Sequence, residues 1–353
     1  MVPVRCWRGV GLLLWVLLAS LAAARSAGLA RAESTYTLAD GVELRLLDAQ
    51  QGAKVLLDDR DAPFFARLTT IDMAARMGRA LSPAKRGANL QQFRRFVAAS
   101  ARNWSRAEEQ AVVQAARVVQ FLCADVLPSM VPNPWRFVKT DGREEGGASY
   151  ARGGCVVLSE EAIREAAGGG SNASLVSTIV EQTFQLYSRQ HPERAETLYG
   201  AIGFHKVPKL RLGAFLEARR LTTPGATTDA YVIEASTSRG RRMLVTPVSY
   251  ARFGSYVPGV TSLQAYLVRG LFEVTERDGV WTVKAAQNRV PHQVSPATIG
   301  PAREPYDASS VYRLNPGEML ARLVAMIVTR GAGVGPGGSI DVVDRVANAL
   351  AAK

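Results

Sequence analysis

The segment LQAYLVRGLFEVTERDGVWTVKAA, Leu263 to Ala286, alternates apolar and polar residues on both sides of Asp278-Gly279. Alternation is the period of a strand with one buried face. An Asp-Gly pair takes the positive-φ conformations that a two-residue hairpin turn needs. Strands joined this tightly are antiparallel neighbours, which excludes an all-parallel sheet here. AYVIEAS and RRMLVTPVSYA, just upstream, read as further strands. Earlier in the chain, VELRLLDA sets Val42, Leu44 and Leu46 on one face, and WRFVKTD and SYARGGCVVLS flank the glycine-rich turn DGREEGGA.

Between these strands lie segments of helical period. LTTIDMAARMGRAL and NLQQFRRFVAAS have helical apolar spacing. In NWSRAEEQAVVQAARVVQFLCADV, Ser105 and Glu108 make a capping box, and Val112, Val113, Ala116, Val119 and Leu122 form the buried stripe. PERAETLYGAIGF is a helix with Pro192 in its first turn, and NPGEMLARLVAMIVTRG and SIDVVDRVANALAA are two more. GAGVGPGG between the last two lacks the Lys-Ser/Thr of a phosphate loop and reads as a linker. Strands and helices are interspersed without βαβ regularity, so the fold class is α+β. One domain is expected over 33–353, mainly helical over 33–130 and carrying a small mixed or antiparallel sheet over 131–353.

Residues 1–32 stand apart from that domain. Arg5 and Arg8 precede the apolar run GVGLLLWVLLASLAAA, and ARA ending at Ala32 is a small-residue cleavage site. This is the pattern of a signal peptide for a secreted or periplasmic protein; the rival reading is an uncleaved anchor, for which the run is short. Removing this segment takes away four arginines and no acids, lowering the formal charge from +12 to +8. The remaining surplus favours anionic surfaces. No basic block or aromatic-basic module stands out, so no nucleic-acid partner is expected, nor a stable transmembrane segment after cleavage. Cys123 on a helix and Cys155 on a strand leave a disulfide or two buried thiols both open. Asn103 and Asn172 head glycosylation sequons.

The chemistry centres on VEQTFQLYSRQHPERAETLYGAIGF, Val180 to Phe204. A helical zinc site needs ligands at i and i+4, one turn apart on one face, with a glutamate after the first to activate water. Here those positions are Glu181, Gln185 and Gln182. Glu318 in NPGEMLARL offers a third ligand from a second helix.

The whole segment resembles the core of a zincin-like, gluzincin-like HExxH metallopeptidase family. Phe184, Leu186, Ser188, Arg189, Pro192, Leu198, Tyr199, Ile202, Gly203 and Phe204 carry the match. DGREEGGASYARGGCVVL resembles the strand that precedes the metal helix in that family, and YRLNPGEMLARLVAMIV its third-ligand helix. The three matches fall in the family's order and bracket most of residues 130–330.

The departures fall at the chemistry. Both ligand histidines and the general-base glutamate are replaced, Arg322 stands where an acidic residue is expected, and His191, His205 and His292 lie off the ligand positions. A Glu/Gln/Glu set offers oxygen donors where zinc depends on imidazole or thiolate. Three are also few for Ca²⁺, which takes ~6–8. Gln182 cannot accept a proton at neutral pH, removing a step worth ~10²–10⁴-fold. Arg322 adds positive charge and is placed to bond Glu181 or Glu318.

The resemblance therefore implies a secreted pseudo-metallopeptidase with no catalytic residue and with zinc lost. Its vestigial cleft is expected to bind an extended peptide or protein, by strand addition along SYARGGCVVL. Tyr150, Arg152, Arg189, Tyr199 and Arg322 are its candidate lining residues, with packing or hydrogen-bonding roles weighing above catalytic ones for Tyr150, Arg189 and Tyr199. Two alternatives stay open: an active hydrolase with altered metal ligands, and a basic envelope- or matrix-associated structural protein.

Overall fold

The computed structural model describes residues 33–60, 63–225, 230–237, 239–285, 290–295, 315–330 and 340–352. The signal-peptide segment and GAGVGPGG lie outside these residues. The fold is α+β and is built on two sheets.

The first sheet joins β1 (Ser34–Thr37), β2 (Glu43–Leu46), β3 (Ala101–Arg102), β4 (Trp135–Thr140), β5 (Tyr150–Arg152) and β6 (Cys155–Ser159). Its order is β1-β2-β4-β6-β5, with β3 also pairing β4. β2/β4 and β4/β6 are parallel, with Leu46 opposite Phe137 and Phe137 opposite Val156. The sheet is therefore mixed, with a parallel centre, and residues 33–130 add three short strands to it beside their helices. Every residue of β6 is buried, as parallel strands covered on both faces tend to be, so alternation could not mark its environment.

The second sheet joins β7 (Phe204–Val207), β8 (Leu210–Arg211), β9 (Ala230–Ser236), β10 (Arg242–Ala251), β11 (Leu267–Arg277), β12 (Val280–Val283) and β13 (Gln293–Val294). Its order is β7-β9-β10-β11-β12-β8, with β13 also on β11. The β11–β12 connection is the expected hairpin: Arg277 pairs with Val280, and Asp278 and Gly279 take φ of 52° and 73°.

The helices follow their caps. Ser105 Oγ accepts from Glu108 N while Ser105 N donates to Glu108 Oε2 at 2.7 Å, starting the helix Arg106–Val126. Asp48 and Gln51 cap Ala49–Leu57 in the same reciprocal way, a helix the sequence reading did not mark. Pro192 occupies the first turn of Pro192–Ala201. The helix Ala173–Gln190 is held between Arg106–Val126, Pro316–Arg330 and strands β5 and β6. Val180, Thr183, Phe184, Leu186 and Tyr187 are buried there, leaving Glu181, Gln185, Ser188 and Arg189 half-buried.

Cys123 and Cys155 are free buried thiols in separate core clusters. Burial pushes them up to about 12 and about 11. Among the described residues, no helix is long and apolar enough to cross a membrane.

Candidate functional site

Glu181 and Gln185 lie one turn apart on Ala173–Gln190, and the neighbouring helix Pro316–Arg330 brings Glu318 beside them. The start of that second helix explains its placement. Asn315 Oδ1 accepts from Gly317 N at 2.9 Å and from Glu318 N at 3.4 Å, so Asn315 caps the helix and Pro316 fills its first position. Glu318 then sits in the first turn, where the helix dipole favours a carboxylate. The three residues expected to share a cleft do share one.

Each carboxylate has a guanidinium beside it. Arg322 Nη1 donates to Glu181 Oε1 at 2.9 Å and to Ser177 Oγ at 3.2 Å. Arg269 Nη2, reaching from β11, lies 3.7 Å from Glu318 Oε2. The set does not fit zinc: its donors are two carboxylates and a neutral amide, and a cation would have to enter beside two positive charges. Among the described residues no group of three His, Cys, Asp or Glu is placed to hold a metal. Gln182 is 6% exposed, lines the cleft, and its Oε1 makes no hydrogen bond within the protein. His191 packs on the Tyr187 ring at 4.4 Å, and none of the three histidines lines the clefts described here.

Two clefts meet at this point. The narrower, about 280 Å³, runs past Tyr150, Glu145, Arg76, Glu181 and Gln182. The wider, about 400 Å³, runs over the second sheet past Arg189, Tyr199, Lys206, Arg220 and Arg67. Gln185, Thr222, Arg269 and Glu318 line both, so the two adjoin along these residues as the two parts of a trough.

The other candidate residues divide. Arg189 donates from Nε to Gln185 O at 3.0 Å and from Nη2 to Ala151 O at 3.1 Å, tying the helix Ala173–Gln190 to β5. Tyr199 lies edge-on to Tyr231, ring centroids 4.8 Å apart. Tyr150 lines the narrower cleft and donates from its hydroxyl to Glu144 Oε1 at 3.1 Å. Arg322 lines neither cleft, and Arg152 does not line the trough. Arg152 is 2% exposed, donates to Leu56 O at 2.8 Å and Asp59 Oδ1 at 3.0 Å, and lies over the rings of Phe64 and Phe65.

Strand addition along β5 also needs correcting. β5 is an edge strand, but Ala151 O already accepts from Arg189. A Cβ built on Gly225 would stand 2.2 Å from that same oxygen. The 224–225 turn therefore covers the edge that a peptide would have to pair with.

A buried ionic cluster at the end of the narrower cleft was missed. Arg76 bonds Asp72, donates to Glu145 Oε1 at 2.8 Å and Oε2 at 3.0 Å, and reaches Thr222 O at 2.6 Å. Asp72 Oδ2 accepts from Thr222 N at 2.9 Å. Burial pushes the Glu145 carboxyl up to about 7 against the pull of Arg76. The i, i+4 spacing of Asp72 and Arg76 was the available signal. Arg269, Arg220 and Thr222 carried none.

Compared with protein-family models, with curated proteins and with solved structures, the chain finds no match.

Proposed function

We propose that this chain is a secreted, zincin-like pseudo-metallopeptidase that binds an extended peptide or protein segment in its trough without hydrolysing it. Residues 1–32 would direct export and then be removed. The observation that carries the reading is the pairing of Arg322 with Glu181 at 2.9 Å, Glu181 itself lining the trough. A guanidinium occupies the side of the first vestigial ligand, and an amide occupies the general-base position. The trough carries polar groups in both its parts, which an extended chain could bond. Because the β5 edge is covered, the peptide lies across the trough floor and is not added to the sheet.

The test is a display selection of random peptides on the purified protein, followed by cross-linking and mass spectrometry. The reading expects selected peptides to be recovered intact and cross-linked to residues on the trough, such as Gln185 and Tyr199. Cleaved peptides, with cleavage suppressed by a chelator, would overturn it in favour of an active hydrolase. Capture that disappears in high salt and cross-links scattered over the surface would favour a basic matrix-associated protein.

A further inference from the structure

The trough is electrically polarised. Its wider part presents five cations, Arg67, Arg189, Lys206, Arg220 and Arg269, against the two carboxylates Glu217 and Glu318. Its narrower part presents Arg76 and Arg269 against Glu145, Glu181 and Glu318. A peptide lying along it would meet excess positive charge at one end only.

The basic end also holds unused hydrogen-bonding capacity. Arg220 Nη2 donates to Arg67 O at 3.2 Å, and Nη1 lies 3.5 Å from Glu217 Oε2. Its Nε is shielded from solvent and makes no hydrogen bond within the protein. The same holds for Thr222 Oγ1, in a residue only 4% exposed that lines the trough. Arg67 and Arg220 press on each other: burial, then the Arg220 charge, holds the Arg67 guanidinium below its ordinary value. Glu217 offsets that repulsion only in part, and a further carboxylate, whose two oxygens match the guanidinium fork, is favoured beside the pair. Lys206 is exposed on β7 and lines this part of the trough.

We propose that the wider end of the trough is a subsite for acidic side chains, so that the ligand is a peptide carrying clustered Asp or Glu at one end, held by Arg220, Arg67, Lys206 and Thr222. This rests on the trough being a peptide site.

The test uses three fluorescein-labelled extended peptides of one backbone sequence, with Glu, Gln or Lys in the terminal cluster. Each is titrated by anisotropy at about 0.15 M salt, where surface attraction beyond the Debye length of ~8 Å is screened. The Glu peptide is expected to bind at least about tenfold tighter than the Gln peptide. Lys206→Glu with Arg220→Gln should abolish that preference, bringing the Glu and Gln peptides to equal affinity. Arg277→Glu, on the exposed end of β11, shifts net charge as Lys206→Glu does and should leave the preference intact.

Equal binding of all three peptides would overturn the acidic subsite while leaving the trough as a peptide site. So would a preference that Arg277→Glu removes as well as the trough variant does. Binding of no peptide would sink the peptide-site reading itself. Displacement of the Glu peptide by inorganic phosphate at equal concentration would assign the cations to a small free anion and overturn the proposal.

Discussion

Arg322 on the helix Pro316–Arg330 reaches across to Ala173–Gln190 and donates to Glu181 Oε1 at 2.9 Å. The contact joins the carboxylate at the proposed first ligand position to a cation that the chain itself supplies. A metal placed there would have to contend with that charge.

Restoring ligands tests this. Glu181→His, Gln182→Glu and Gln185→His together should give only weak zinc binding, because Arg322 still points at residue 181. Adding Arg322→Ala should tighten zinc binding by about tenfold or more, the size of effect expected from groups around a metal's ligands. Zinc titration of both variants checks it; equal affinity would show that Arg322 does not oppose the metal.

Arg76 is the buried counterpart, with a side chain 3% exposed against Asp72 at 0% and Glu145 at 9%. Arg76→Met should cost about 3–5 kcal/mol, because it leaves buried carboxylates without their cation. Urea denaturation measures this. By contrast, Arg322→Ala breaks a pair whose arginine is 44% exposed and should cost at most about 1 kcal/mol.

Glu145 gives a pH signature. One guanidinium, Arg76, faces two carboxyl groups, and burial raises the Glu145 pKa from 4.5 to about 7. Between those values the folded protein holds a proton that the unfolded chain releases. Stability from this group is therefore greatest below 4.5, falls as pH rises towards about 7, and is flat above it. Relative to Glu145→Gln, the wild type should lose stability across that window by up to about 1.4 kcal/mol per pH unit. Denaturation at several pH values compares the two, and parallel profiles would contradict the assignment.

Gly225 approaches Ala151 O too closely for any side chain. Gly225→Ala should destabilise the protein by about 1–3 kcal/mol through forced displacement of the turn. The same substitution should loosen the Arg189–Ala151 contact and raise hydrogen exchange along β5.

Local signals carried much of this fold. Asp278-Gly279, the Ser105–Glu108 box and Pro192 each act over a few residues, and each forms the element expected of it. Helical spacing put Glu181 and Gln185 on one face, whereas the place of Glu318 beside them was expected from the resemblance and not from any local signal. The parallel pairing of β2, β4 and β6 was hidden because Leu44 pairs with Trp135 across ninety residues and β6 is buried on both faces. Arg152 was misplaced for a similar reason. Its partners Leu56 and Asp59 lie far upstream, and nothing in SYARGG announces them.

The central claim is that the scaffold stands without zinc chemistry. Its most direct test is elemental mass spectrometry on the purified protein, prepared without chelator or affinity tag and equilibrated with zinc. The account predicts zinc well below one per chain, unchanged by Glu181→Ala or Glu318→Ala. Near-stoichiometric zinc that either substitution removes would contradict it.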